Sequence, residues 1–235
     1  MNKIFIEELT SEKDLYLEES TIVIVKSSDC KLNYFIKDEI NIFTLIMSSS
    51  VKVSCMVECN SIFNMFSINS SLSVNIDLLK DDINYRYAYS TINKDNNDYE
   101  ININHLGNNI ISNITNHGIN TEDNKLLFVI NTIVPKNSLN ITTNQDSKII
   151  VLKDNNASIK PNLLIDNDDI EANHAAYIGR FKEEELFYLM TRGIKKEDAV
   201  DLMIKSFLIG NMEINLEEKE LILDTINAYW RWLNE

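Results

Sequence analysis

Between about Val51 and Asp169 this chain offers no helical period of useful length, and that absence limits its fold more than any other feature. Short β-branched runs take its place: Thr21–Val25, Val51–Val57, Leu72–Ile76, Tyr99–Ile103, Leu139–Thr142 and Lys148–Leu152. Such runs, often alternating between apolar and polar, read as strands. Clusters of turn residues divide them, among them Ser27-Ser28-Asp29, Asp81-Asp82, Gly107-Asn108-Asn109 and Asp154-Asn155-Asn156. Many short strands make a sandwich, a barrel or a solenoid, and no strict repeat period decides among these. The hairpin dipeptides Asn-Gly and Asp-Gly are absent, so the commonest antiparallel signal is missing. The balance tilts toward a solenoid with Asn-rich corners. Polar residues at alternate positions predict one wet face per strand.

Asparagine fills 32 of 235 positions, against five glycines and two prolines. An AT-rich genome favours Asn and Ile codons. A structural reading stands beside that one: Asn tolerates φ > 0 and bonds its own backbone, so it can take turn positions that Gly leaves vacant.

From Lys182 the period becomes helical. Glu183-Glu184-Glu185 suits a first turn, Leu186, Leu189 and Met190 share a face, and Gly193 reads as the residue that ends the helix. Lys195 to Leu208 predicts a second helix with a stripe of Ala199, Leu202, Met203, Ser206 and Phe207. Glu217 to Leu233 predicts a third. The expected organisation is a short N-terminal segment over 1–20, a β core over 21–180 and a small helical docking element over 181–235.

The formal charge is −14, from 36 acidic and 22 basic residues. No basic stripe is available to neutralise phosphates, so nucleic-acid binding is not expected, and an anionic membrane surface would repel the chain. No apolar run approaches the roughly 20 residues of a spanning helix, and the first nine residues lack the pattern of a signal peptide. Cys30, Cys55 and Cys59 are an odd number and indicate no disulfide framework. A reducing cytoplasm is the expected compartment.

Several motifs follow one another in an order found in one protein family. His105-Leu106-Gly107 with Ser112, then His117-Gly118-Ile119, is similar to one family segment. The strand Ile149 to Leu152 with its following Asp154-Asn155-Asn156-Ala157 resembles a family coil. Lys160-Pro161-Asn162-Leu163-Leu164-Ile165 resembles "Lys-Pro-x-Leu-x-Ile". Asp168-Asp169-Ile170-x-Ala172-x-His174 with Gly179 follows. Leu186-Phe187-Tyr188-Leu189-x-Thr191-Arg192-Gly193 is similar to "Leu-Phe-Tyr-Leu-x-Ser-Arg-Gly". In order and spacing, from about His105 to Gly210, these motifs resemble the SufB/SufD family, the scaffold proteins of SUF iron–sulfur cluster assembly.

The resemblance implies a mainly β fold, a right-handed parallel β-helix followed by a small C-terminal helical domain. It implies a non-enzymatic scaffold that pairs with a SufB/SufD-type subunit, as homodimer or heterodimer, and docks a SufC-type ABC ATPase. No cofactor is expected to be bound stably by this chain alone; a transient iron–sulfur cluster shared at a subunit interface is the implied cargo. Two departures stand out. Most of the family's N-terminal helical region is missing, and Asn155 and Ala175 stand where SufB-like members carry a cysteine and a glutamate. His174 remains, so the chain resembles SufD more than SufB.

His174 is accordingly the candidate metal or cluster-interface residue, since a neutral imidazole ligates iron and a partner can supply thiolate. The competing reading is a histidine hydrogen-bonded at the strand-to-helix joint. Tyr188, Arg192 and Gly193 are candidate docking residues, with packing and helix termination as the plainer roles. Cys55 and Cys59 lie roughly 13 Å apart if both are on one strand, too far for one metal. Asp168 and Asp169 point to opposite faces of a strand and suit a turn. His105 and His117 read as structural. Trp230 and Trp232 point apart on a helix, which leaves one exposed unless a partner covers it. Two rival readings are a degenerate interaction module and a β-helix enzyme acting on polysaccharide. The latter needs paired carboxylates or a basic cleft, and neither is evident.

Overall fold

The computed structural model describes residues 2–8, 11–153 and 156–234, with the backbone alone for 231–234. Fifteen strands come first: β1 Asn2–Ile6, β2 Glu12–Leu17, β3 Thr21–Val25, β4 Cys30–Ile36, β5 Ile40–Ile46, β6 Ser50–Val57, β7 Ser61–Ile68 and β8 Ser71–Leu78. The stack continues with β9 Asn84–Asn93, β10 Asn97–His105, β11 Ile111–Asn120, β12 Lys125–Val134, β13 Ile141–Val151, β14 Asn156–Ile165 and β15 Ile170–Gly179. Odd strands form one sheet in sequence order and even strands the other. Every pairing is parallel. A chain that alternates between two parallel sheets and advances one strand per pass is a parallel β-helix.

The stack starts ahead of Thr21. Asn2 pairs with Thr21 and Glu12 with Lys31, so the stretch expected as an N-terminal segment already supplies the first strand of each sheet. The runs Leu139–Thr142 and Lys148–Leu152, read as two strands, are one strand, β13.

Inward side chains fill the coil. Its N-terminal turns are aliphatic and aromatic, with Tyr34, Phe63, Tyr85, Tyr87, Tyr89 and Tyr99 fully buried. Tyr89 stacks on Tyr99 at a centroid distance of 4.0 Å, and the Tyr99 hydroxyl donates to the Tyr87 hydroxyl (2.9 Å). Cys55 and Cys30 belong to this interior, and burial raises both thiols. Cys59 lies beyond the end of β6, pushed up to about 11 by burial.

The corners use Asn and Asp as the composition suggested. Asp29, Asn69, Asp82, Asn109 and Asn140 all have φ between 52° and 62°. Three of them stack on successive coils: Asn109 Nδ2 donates to Asp82 Oδ1 (2.9 Å) and Asn140 Nδ2 to Asn109 Oδ1 (2.9 Å). The Asn140 N–H then donates to Asp169 Oδ2 (2.9 Å), which gives Asp169 the turn role expected of it.

Three helices follow: α1 Glu183–Thr191, α2 Lys196–Ile209 and α3 Leu216–Asn234. α3 opens on a capping box, in which Asn215 Oδ1 accepts the Glu218 N–H (3.0 Å) and Glu218 Oε2 accepts the Asn215 N–H (2.8 Å). α2 and α3 pack on the outer face of the eight-stranded sheet. Ile204, Leu208, Ile222 and Ile226 form a second core there with Ile22, Phe43, Phe66, Ile92, Ile119 and Ile150. This sheet is therefore buried on both faces along part of its width, against the expectation of one wet face per strand. The continuous apolar run Thr21–Val25 carries the signal of a strand covered on both sides.

Polar contacts fix the helices in place. His117 Nδ1 donates to the Phe207 carbonyl (2.7 Å), and its ring stacks on Phe207 at 4.2 Å. Asn64 Nδ2 donates to the Glu213 carbonyl (2.9 Å), and Arg86 pairs with Glu213. No helix among the described residues is long and apolar enough to cross a membrane.

Candidate functional site

The C-terminal end of the β-helix is an open mouth bounded by β14 and β15, the last strands of their sheets. Backbone hydrogen bonds show which residues face the open edge. The Thr142 N–H donates back to Ile110 O, whereas the Ile141 N–H reaches forward to Asp169 O. In this stack inward-pointing residues bond forward and outward-pointing ones bond back. By the same alternation Ile170, Ala172, His174, Ala176 and Ile178 of β15 turn their backbone groups to the open edge. On β14 the corresponding set includes Pro161, which has no N–H to offer. Edge strands carrying Pro and Lys resist strand addition, and Lys160-Pro161 places both on β14. β15 carries a single formal charge, Glu171.

His174 sits in the middle of β15, five residues before its end, and not at the joint between strand and helix. It pairs with Gln145 of β13. Gln145 is buried and inward-pointing, so His174 shares its face and turns into the mouth, where it is exposed to solvent. Ala175 points the other way. Asn155 lies outside the described residues. Among the described residues no group of three His, Cys, Asp or Glu side chains is placed to hold a metal ion.

The inner wall behind His174 is polar, unlike the N-terminal coils. Successive inward rows on the eight-stranded sheet read Tyr85–Ser112–Thr143–Ala172, Tyr87–Ile114–Gln145–His174 and Tyr89–Asn116–Ser147–Ala176. His105 Nε2 bonds to Ser112 Oγ (2.8 Å), which donates to Thr143 Oγ1 (2.8 Å). Burial pulls His105 down to about 4. His105 and His117 are thus held inside the structure and do not join His174. Gln145 has no local sequence signal, since Asn144 to Ser147 is polar throughout, and its inward direction follows only from the register.

The helical part presents a second exposed feature. α1 has no buried residue, although its sequence is Leu-Phe-Tyr-Leu-Met at the centre. Phe187 is 68% exposed, Tyr188 57% and Met190 42%. Arg192 donates to the Tyr188 hydroxyl (3.3 Å) and lies 5.1 Å from its ring centroid. Gly193, at φ 87°, ends α1, with its N–H on Met190 O and the Ile194 N–H on Leu189 O. A groove of about 680 Å³ lies among β13, β15, α1 and α2, lined by Lys148, Tyr177, Phe181, Leu202 and Phe207 among others. Trp230 is half-buried against the second core, and the side chain of Trp232 lies outside the described residues.

The two sheets and the three helices define a parallel β-helix with an open C-terminal mouth and a short helical appendage. The family model for the SUF system FeS cluster assembly, SufBD core domain, matches residues 6–207, and the chain belongs to that family. It is 40% identical over 82 residues to the iron–sulfur cluster assembly protein SufD of Bacillus subtilis, covering 33% of this chain and 19% of that protein. It is 50% identical over 48 residues to an iron–sulfur cluster assembly SufBD family protein of Pyrococcus horikoshii, covering 20% of this chain and 11% of that one. Over 48 residues it is 44% identical to the SufD of Escherichia coli, with coverage of 20% and 11%. The matched segments span less than a fifth of those relatives' own lengths.

Proposed function

We propose that this chain is a SufD-like scaffold subunit of an iron–sulfur cluster assembly complex. It pairs with a SufB/SufD-type subunit at the open end of the β-helix and docks a SufC-type ABC ATPase through its C-terminal helices. An iron–sulfur cluster is cargo at the shared interface, where His174 offers one donor and the partner the remainder. The chain itself performs no catalysis in this reading.

The apolar face of α1 is the observation that carries the docking assignment. A helix with Phe187, Tyr188 and Met190 exposed and no buried residue is stabilised little by its own chain, and aromatic residues flanked by Arg are typical anchors of interfaces. The unblocked edge of β15 supports strand addition by a partner subunit in the same way.

Affinity purification of the tagged full chain from native lysate tests the docking assignment. The expected result is recovery of an ABC-type ATPase with the wild type and its loss with Phe187→Asp, with unchanged thermal stability. Absence of the ATPase from the wild-type eluate, or equal recovery with the variant, would overturn it.

A further inference from the structure

We propose that Gln145 is a positioning residue for His174: its Oε1 accepts a ring N–H of His174 and so fixes which imidazole nitrogen keeps its lone pair for the open mouth. This deepens the reading of His174 given above.

Three observations lead there. Gln145 is 3% exposed, and its Oε1 is a buried acceptor with no partner. A buried acceptor left unpaired is costly and usually marks an unmade bond or a functional one. Next, the orientation of the amide is fixed. Nε2 donates to Thr132 Oγ1 and to the Asn162 carbonyl (3.4 Å). A carbonyl can only accept, so the NH₂ must face β12 and β14, and the oxygen is left as acceptor on the other side. Finally, the neighbours of Gln145 along its inward row are Ile114 and His174. Ile114 has no polar atom. His174 is the row neighbour with a donor, one strand spacing away, about 4.8 Å, and its ring is free to rotate into the bond.

The chemical consequence follows from the two nitrogens of imidazole. When one donates its hydrogen to an amide oxygen, the other is the unprotonated, ligating nitrogen. Histidines that act as ligands are commonly oriented in this way by a neighbouring acceptor. Gln145 would thus present His174 in one tautomer before any partner or cluster arrives. The polar wall of Thr143, Gln145 and Ser147 has this purpose at its centre.

The test needs neither partner nor cluster, so this proposal and the scaffold reading can fail separately. Long-range ¹H–¹⁵N correlation spectra of the ¹⁵N-labelled full chain report the tautomer of each histidine, with His174 assigned through His174→Ala. The expected result is a His174 tautomer ratio about fivefold different from that of a synthetic peptide covering 171–177, the factor given by a hydrogen bond of ordinary net strength. Gln145→Met should return the ratio to the peptide value. The signals of His105 and His117, held by Ser112 and Phe207, report whether the variant keeps its fold. If it does not, the comparison of wild type with peptide decides alone. A wild-type ratio equal to that of the peptide, or one unchanged in a folded Gln145→Met chain, would overturn the proposal.

Discussion

Asn140 separates a conformational requirement from a side-chain contact, and its replacement gives a graded prediction. The residue has φ 54° and is exposed, so hydrophobic burial plays no part. An alanine forced into the left-handed region costs about 1–2 kcal/mol. Losing the Asn140–Asn109 amide bond adds about 0.5 kcal/mol. Asn140→Ala should therefore destabilise the chain by about 2 kcal/mol. Asn140→Gly keeps the backbone conformation at no steric cost, loses the same amide bond, and adds unfolded-state entropy of about 0.4–1 kcal/mol; it should cost about 1 kcal/mol. Glycine is thus expected to be the better replacement by about 1 kcal/mol, the reverse of its rank in a helix or strand interior. Urea denaturation of the three proteins measures this, provided the slopes agree. An alanine variant as stable as the glycine variant would show that the corner does not impose its backbone on the residue.

His105 makes stability fall in acid. Its folded pKa, about 4, lies below the ordinary 6.5, so below pH 6.5 the unfolded chain takes up a proton that the folded chain refuses. The contribution is complete above about 6.5 and lost as pH falls toward 4, on the order of 3 kcal/mol in total. Denaturation midpoints measured across that range should flatten in His105→Gln, and an unchanged slope would count against the assignment. Gly118→Ala should destabilise by about 1–3 kcal/mol, because the added Cβ would stand 2.9 Å from Phe128 Cζ and 3.0 Å from Leu126 Cδ2. A more stable alanine variant in thermal melts would mean that the interior has room there.

The elements most legible in the sequence were those whose partners are local. α1, α2 and α3 appear within a residue or two of their expected limits, since caps and acidic first turns are written beside them. Thr21–Val25 and Val51–Val57 read clearly as strands for the same reason. β13 was harder, because Asn144-Gln145-Asp146-Ser147 is polar throughout; nothing local says that Gln145 and Ser147 face inward, since their partners lie on other coils. The second core was hidden likewise. Ile22, Phe43 and Phe66 point outward from their strands and become buried only because α2 and α3, more than 130 residues further along the chain, cover them. Of the candidate site, the motif named His174 as the candidate, while its place at mid-strand and its ladder neighbour required the register.

The two helices on the outer sheet also bear on how the molecule comes apart. A stack of coils touching only their neighbours behaves as a one-dimensional array, free to fray from either end. Here Ile222, Ile226, Ile204 and Leu208 share one apolar cluster with residues from β3 through β13, and Lys3 of β1 pairs with Glu217 at the start of α3. The helices act as a splint laid across the coils. Opening one terminal coil then strains contacts that serve the whole row, which turns a chain of separable repeats into a unit that unfolds together.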